Sequence, residues 1–305
     1  MIARRTTSFG DARTRAPRHP AAVIGLLAPA LAVVALLFGG GLALGLVQSL
    51  GHLPAAGMSF MTLAHFGRVL ADPDFLKGLG FTLYLSLAST LIAAAISVAA
   101  ALAFNALPGR SRAIQFVFQI PLTVPHLVIA VAALFMLAPS GLLARTLQRL
   151  GLLSSATAFP LLVNDPWGVG IMAAYVWKEV PFITLMILAA LRASGTELLD
   201  VGRTLKAGRW QRFRHITLPV IFPSLGAAGL VVFAYTFGAF EIPYLLGQTY
   251  PMMLPVWAYK AYSDVDLMAR PEGIAAGMVI AAVVAAAVAL AQGLTQAARR
   301  RGVPL

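Results

Sequence analysis

Glu197-Leu-Leu-Asp200-Val-Gly202-Arg-Thr-Leu205-Lys206-Ala207-Gly208-Arg-Trp210-Gln-Arg-Phe213-Arg-His-Ile216-Thr-Leu218-Pro219 is a basic, polar stretch set between two apolar runs, Trp167–Leu191 and Val220–Gly247. Each run passes the roughly 20 apolar residues that a helix needs to cross a bilayer. The stretch between them exceeds the 2–8 residues or so that usually join helices in a bundle, and its spacing is helical. Leu198, Val201 and Leu205 share one face of a first short helix, and Trp210, Phe213 and Ile216 share one face of a second. Gly208 is read as the break between the two, and Pro219 as the start of the next span. The result is a helix–turn–helix shelf of apolar and basic residues at a membrane surface, suited to a groove in a soluble partner.

Four further runs have the same character: Ala21–Val47, Leu79–Leu107, Ile114–Ala138 and Gly273–Leu294. The first follows a basic stretch, as a signal peptide would, but its apolar run is too long for an h-region and ends at no small-residue cleavage site. The chain of 305 residues is 59% hydrophobic and 11% charged, with mean hydropathy +0.83. A soluble chain has about 25% charged residues, so this one cannot cover its own apolar surface. In lipid the backbone must satisfy itself, which leaves helices or a closed barrel, and these runs are too long for barrel strands. The fold class is therefore all-α integral membrane, with six spans and no internal repeat.

The net charge of +12 is a matter of placement. With six spans, 16 of the 23 Lys and Arg fall on the side that holds both termini and the 192–219 loop, six on the other, and Lys178 lies within the fourth span. The positive-inside rule then makes both termini and that loop cytoplasmic, with anionic headgroups as the partner of the basic residues. Nucleic-acid binding needs a folded basic domain, and none is available. Residues 1–20 and 295–305 read as cytoplasmic tails around a single membrane domain, 21–294. Cysteine is absent, which rules out disulfides and thiolate metal sites. Residues 72–74 signal a turn, and 141–152 read as a short amphipathic surface helix.

The 197–219 stretch resembles the EAA loop of the permease subunits of binding-protein-dependent ABC importers. Anchored on Ile216-Thr-Leu218-Pro219, the family's Glu falls on Asp200, its aromatic on Phe213 and its Gly on Lys206, without a gap. Asp200 is one methylene shorter than Glu, and Val201-Gly202 stands for Ala-Ala. If the family glycine serves a positive φ, lysine there carries a strain of about 1–2 kcal/mol, unless Gly208 takes over the turn. Ile120-Pro121-Leu-Thr-Val-Pro125-His126, Trp177-Lys178-Glu179-Val-Pro181-Phe182 and Phe237-Gly238-Ala-Phe240-Glu241-Ile-Pro243-Tyr244 are similar to the spermidine/putrescine-type branch. Relatives of that branch serve sulfate, ferric iron, thiamine and phosphonates. The resemblance runs from about Phe66 to Leu294 and implies a six-helix type I importer permease fold in the bacterial inner membrane. It further implies a second permease subunit of a different chain, two ATP-binding subunits that hold ATP and Mg, and an extracytoplasmic solute-binding protein. In the family this loop docks into the ATPase, so the resemblance implies docking through Asp200, Leu205, Lys206, Ala207, Gly208, Trp210, Phe213, Ile216, Leu218 and Pro219.

No phosphate-loop pattern occurs, so the chain is expected to bind no cofactor and to catalyse nothing. Ionisable groups within spans are costly and mark candidates for a translocation path. Glu241, flanked by Tyr235 and Tyr244, is placed to meet a cationic solute or to bond backbone freed by Pro243, or else simply packs against a neighbouring helix or snorkels to the outer surface. Lys178 has the reach to form a structural ion pair with a carboxylate such as Glu241. Glu179 finds a partner on another helix or the backbone loosened by Pro181, and His126 reads as a satisfied buried donor. Pro121, Pro125, Pro181, Pro223 and Pro243 are expected to interrupt three spans. Two other classes compete: an ion-coupled secondary transporter, which calls for two related halves, and an intramembrane enzyme, which calls for a nucleophile and base at one depth.

Overall fold

The computed structural model describes residues 20–106, 111–155, 158–195 and 197–300. The N-terminal tail up to residue 19, the loop at 107–110, the last five residues and the Leu198 side chain lie outside the described residues. Helix α1 (Pro20–Val34) continues through one π-turn into α2 (Gly40–Ser49). There follow α3 (Ala64–Ala71), α4 (Pro73–Ala106), α5 (Ser111–Phe118), α6 (Ile120–Thr123), α7 (His126–Leu137), α8 (Leu142–Arg149) and α9 (Val169–Ala193). After these come α10 (Glu197–Thr204), α11 (Arg209–Arg212), α12 (Leu218–Gly238), α13 (Glu241–Leu246), α14 (Leu254–Tyr262) and α15 (Arg270–Arg300). Among the described residues no strand forms, and six helical stretches are long and apolar enough to cross a membrane.

The centre of the bundle is α9, which packs along α4 over the largest helix–helix interface. Small residues make that approach close: Ser86, Ser89, Ala93, Ser97 and Ala101 of α4 are all buried and recur at helical spacing. Ser97 Oγ donates to the Val180 carbonyl of α9 at 2.9 Å, and Ile183, Ile187, Ile221 and Val232 complete this part of the core. A second cluster joins Leu85, Ile129, Ile171, Tyr175, Ile242 and Leu246. The third, Val69, Phe75, Phe237, Leu254 and Ala275, ties α3 and α14 to α4 and α15. Thr82 locks α14 in place, since its Oγ1 donates to Gly78 O and accepts from the Leu254 amide at 2.8 Å. By contrast α1 is exposed from Val23 to Val34, with Leu26 at 83% and Leu31 at 59%, as befits a helix whose solvent is hydrocarbon.

Three expectations need correction. The third span is not one helix over Ile114–Ala138: it breaks after Phe118 and again at Val124-Pro125. Proline lacks the N–H that would close the turn on the Pro121 carbonyl, and its ring drives the preceding residue extended, with Val124 at ψ 127°. The fifth apolar run likewise breaks at Ala239, ahead of Glu241, instead of running unbroken to Gly247. Pro181 and Pro223, however, are carried inside continuous helices, as membrane helices tolerate when neighbouring groups satisfy the freed backbone.

Candidate functional site

Two regions gather the residues singled out above. In the first, α10 ends in a Schellman motif: the Lys206 amide donates to Arg203 O and the Ala207 amide to Gly202 O, both at 3.0 Å. That motif needs a left-handed residue, and Lys206 supplies it at φ 55°. Gly208 does not take over the turn: at φ −63° and ψ 165° it is the extended N-cap of α11, held by its amide donating to Gln211 Oε1 at 2.9 Å. Asp200 accepts from Arg203 at 2.6 Å in an exposed i,i+3 pair.

The second shelf helix does not stop before the span. It runs from Arg209 through a π-turn at Phe213–Thr217 into α12 without a break, so Leu218 and Pro219 lie within one rod that reaches Gly238. The π-turn rotates the apolar face. Trp210 packs on Phe213 with ring centroids 5.5 Å apart, while Ile216 turns inward to Gly202. A Cβ on Gly202 would meet Ile216 Cδ1 at 2.8 Å, so this glycine is what lets α10 close on the rod. Its role, and that of Gln211, escaped the reading of spacing alone. Val201, Leu205 and Trp210 remain exposed at 56%, 76% and 68% and form the apolar edge of the shelf, and Ala207 is half-buried behind them.

The second region lies where the two breaks face α9. Lys178, 5% exposed, makes no ion pair. Its Nζ donates to the Pro121 carbonyl at 3.0 Å and the Val124 carbonyl at 2.7 Å. These are acceptors left orphaned by Pro125 and by the end of α6, so the ammonium staples the broken span to α9. Among the described residues, Glu179 and Glu241 have neither a hydrogen bond nor a cation within ion-pair distance, which corrects the expected pairing of both and the expected capping near Pro243. His126 is not a satisfied donor either: Nε2 is buried without a partner, and the ring lies against Tyr235 at 4.6 Å. Tyr244 stacks on Phe240 at 4.8 Å, and Tyr259 of α14 closes an aromatic trio beside Glu241. Tyr175, unmarked by the sequence reading, joins them: it precedes Glu179 by one helical turn, and its hydroxyl is buried and unpartnered. No group of three or more metal-ligating side chains occurs among the described residues.

Residues 92–301, about two thirds of the chain, match the family of binding-protein-dependent transport system inner membrane components. The chain belongs to that family. It is a multi-pass membrane transport component of the ABC importer class. Among curated relatives, the molybdenum transport system permease protein ModB of Azotobacter vinelandii is 29% identical over 170 residues, 55% of this chain and 71% of that protein. The sn-glycerol-3-phosphate transport system permease protein UgpA of Agrobacterium fabrum is 27% identical over 246 residues, 78% of this chain and 82% of its own length. The match to the permease protein YdcU of Escherichia coli spans 47% of that relative. A chain of a bacterial ABC transporter involved in the import of the acidic polysaccharide alginate has the same fold, with TM-score 0.75, 22% identity and coverage of 90% and 95%. The relatives differ widely in what they are named for, and none points to the spermidine/putrescine branch in particular.

Proposed function

We propose that this chain is the transmembrane half of a binding-protein-dependent importer and that a separate ATPase drives it through the 197–219 shelf. The observation that carries this reading is the exposed edge of Val201, Leu205 and Trp210 on a helix continuous with the fifth span. Apolar side chains held out on a rigid shelf gain most by entering a groove, and a continuous helix transmits any displacement made there. On this reading both termini and the shelf are cytoplasmic, and a second permease chain and two ATP-binding subunits with ATP and Mg complete the core. A binding protein delivers the solute to the other side. Expression of the chain with a candidate ATP-binding subunit from the same genome gives the test. Trp210→Ala and Phe213→Ala are each expected to weaken co-purification tenfold or more, since burying such a side chain contributes roughly 1.5–3 kcal/mol. Undiminished co-purification of both variants would leave the shelf lying on headgroups and remove the coupling role.

A small cationic solute of the polyamine type suits the chain's own residues better than the anions for which several relatives are named. Glu241 has no cationic partner and stands beside Phe240, Tyr244 and Tyr259, a carboxylate-and-aromatic setting that attracts ammonium groups.

A further inference from the structure

The one buried lysine among the described residues is spoken for. Lys178 gives its ammonium to the Pro121 and Val124 carbonyls, although Glu179 is its neighbour in the chain. One ammonium held on carbonyls, against two carboxylates without an ion pair, leaves the region with an excess of negative charge at membrane depth. Such an excess is unfavourable in a medium of low dielectric until a proton or a mobile cation joins it.

A second, independent observation points the same way. Tyr175 is fully buried, its hydroxyl has no partner, and Glu179, Glu241 and Tyr235 all lie within electrostatic range of it. His126 Nε2, also buried and unpartnered, faces the same groups, with Glu241 and Lys178 in range. Buried polar atoms without partners are rare in native proteins and call for a missing ligand or a functional reason. The burial is graded: Tyr235 is 37% exposed, Glu241 is partly exposed, Glu179 is 8% exposed and Tyr175 is closed off. Burial thus deepens from Tyr235 and Glu241, the more exposed members, through Glu179 to the Tyr175 hydroxyl.

We propose that Glu179 and the Tyr175 hydroxyl oxygen form an ammonium-binding site within the helix bundle, reached past Glu241 and Tyr235. A primary ammonium group of the solute donates one N–H to the Glu179 carboxylate and one to the Tyr175 oxygen. Glu241 supplies the second charge for a solute with another amino group further out. The site rests on the importer reading and deepens it, because it names organic amines as the solute class and disfavours oxyanions such as molybdate or a phosphate ester, which two carboxylates repel. Lys178 is kept from filling the site by the two carbonyls it staples.

The test uses the full-length chain in lipid nanodiscs, with thermal melting followed in the presence of putrescine, spermidine, molybdate or glycerol 3-phosphate. Both amines are expected to raise the melting temperature of the wild type in a concentration-dependent way, and both anions to leave it unchanged. Glu179→Gln and Tyr175→Phe are each expected to weaken amine binding tenfold or more, the usual consequence of losing one charge-assisted hydrogen bond. Neither variant removes a contact within the protein, so their unliganded melting temperatures should equal or exceed that of the wild type. If Glu179 is simply held protonated, Glu179→Gln will bind amines like the wild type, and the proposal falls. It falls equally if neither amine protects the wild type, or if the anions protect it instead. Failure of the ATPase to co-purify would remove the importer reading by itself, because amine binding is read on the isolated chain.

Discussion

Lys206 holds a left-handed backbone, φ 55°, at the one position where the shelf turns from α10 to α11. For an L residue with a Cβ this conformation costs roughly 1–2 kcal/mol, and it is paid without evident return, since the Lys206 side chain is exposed and has no partner in an ion pair or hydrogen bond. Lys206→Gly removes the strain, while glycine's greater freedom in the unfolded chain takes back about 0.5–1 kcal/mol. A net gain of about 0.5–1 kcal/mol remains, a two- to fivefold change in a local opening equilibrium. The Ala207 amide, which donates to Gly202 O, reports that opening directly by hydrogen exchange. We expect its exchange to slow two- to fivefold in Lys206→Gly and to stay unchanged in Lys206→Ala, which removes the charge but keeps the Cβ. Gly208→Ala should be nearly neutral, because φ −63° and ψ 165° suit any residue and the new Cβ comes no closer than 3.7 Å to Gln211. Faster exchange in Lys206→Gly, or a loss in Gly208→Ala larger than in Lys206→Ala, would refute the assignment of the turn to Lys206.

The remaining expectations concern contacts that the shelf and the breaks depend on. Lys178→Met should lower the stability of the chain by about 2–4 kcal/mol, because it strands two buried carbonyls at once; a melting temperature equal to wild type would mean that Pro121 and Val124 find other donors. Gly202→Val places a branched side chain where a single Cβ already meets Ile216 at 2.8 Å, so α10 should detach and ATPase co-purification fall, whereas Gly202→Ala needs only a shift of the Ile216 tip. Retained docking in Gly202→Val would show that the close approach is dispensable. Glu241→Gln should reduce uptake of putrescine by cells at unchanged ATPase co-purification; normal uptake would exclude Glu241 as a solute contact.

Six membrane helices were legible because hydrocarbon is a severe solvent: a run such as Val169–Ala193 has few alternatives once its backbone must satisfy itself. The shelf was legible from the spacing of Leu205, Trp210 and Phe213 and from its likeness to a known loop. What stayed hidden depended on backbone groups, which carry no residue code. The Lys178 side chain is expected from sequence to seek a carboxylate, yet it takes two carbonyls left free at the Val124-Pro125 break, and nothing in the identities of residues 121 and 124 announces their oxygens. Trp210, Phe213 and Ile216 keep an i, i+3 rhythm that fits an α-helix, but the π-turn at Phe213–Thr217 sends Ile216 to the opposite side. Lys206 hid the turn for the converse reason: glycine is the usual sign of a left-handed residue, and the glycine two positions later drew the assignment away.

The position of the two breaks gives the shelf its reach. Arg209–Gly238 is a helical stretch of 30 residues, about 45 Å long at 1.5 Å per residue. Its shelf end carries the exposed Trp210, and its other end stops three residues short of Glu241, at the extended Ala239. A rod of that length converts a tilt of a few degrees at Trp210 into a displacement of several ångströms at its far end. The helix is interrupted there, and α13 packs through Ile242 and Leu246 on Ile171 and Tyr175 of α9, so Glu241 is held with α9 rather than carried with the rod. Opposite them, α9 holds Glu179 and Tyr175 fixed by its packing on α4, and Lys178 fixes the broken third span to the same helix. On the proposed reading, movement of the shelf therefore shifts Tyr235, near the far end of the rod, against Glu241, Glu179 and Tyr175, which stay in place.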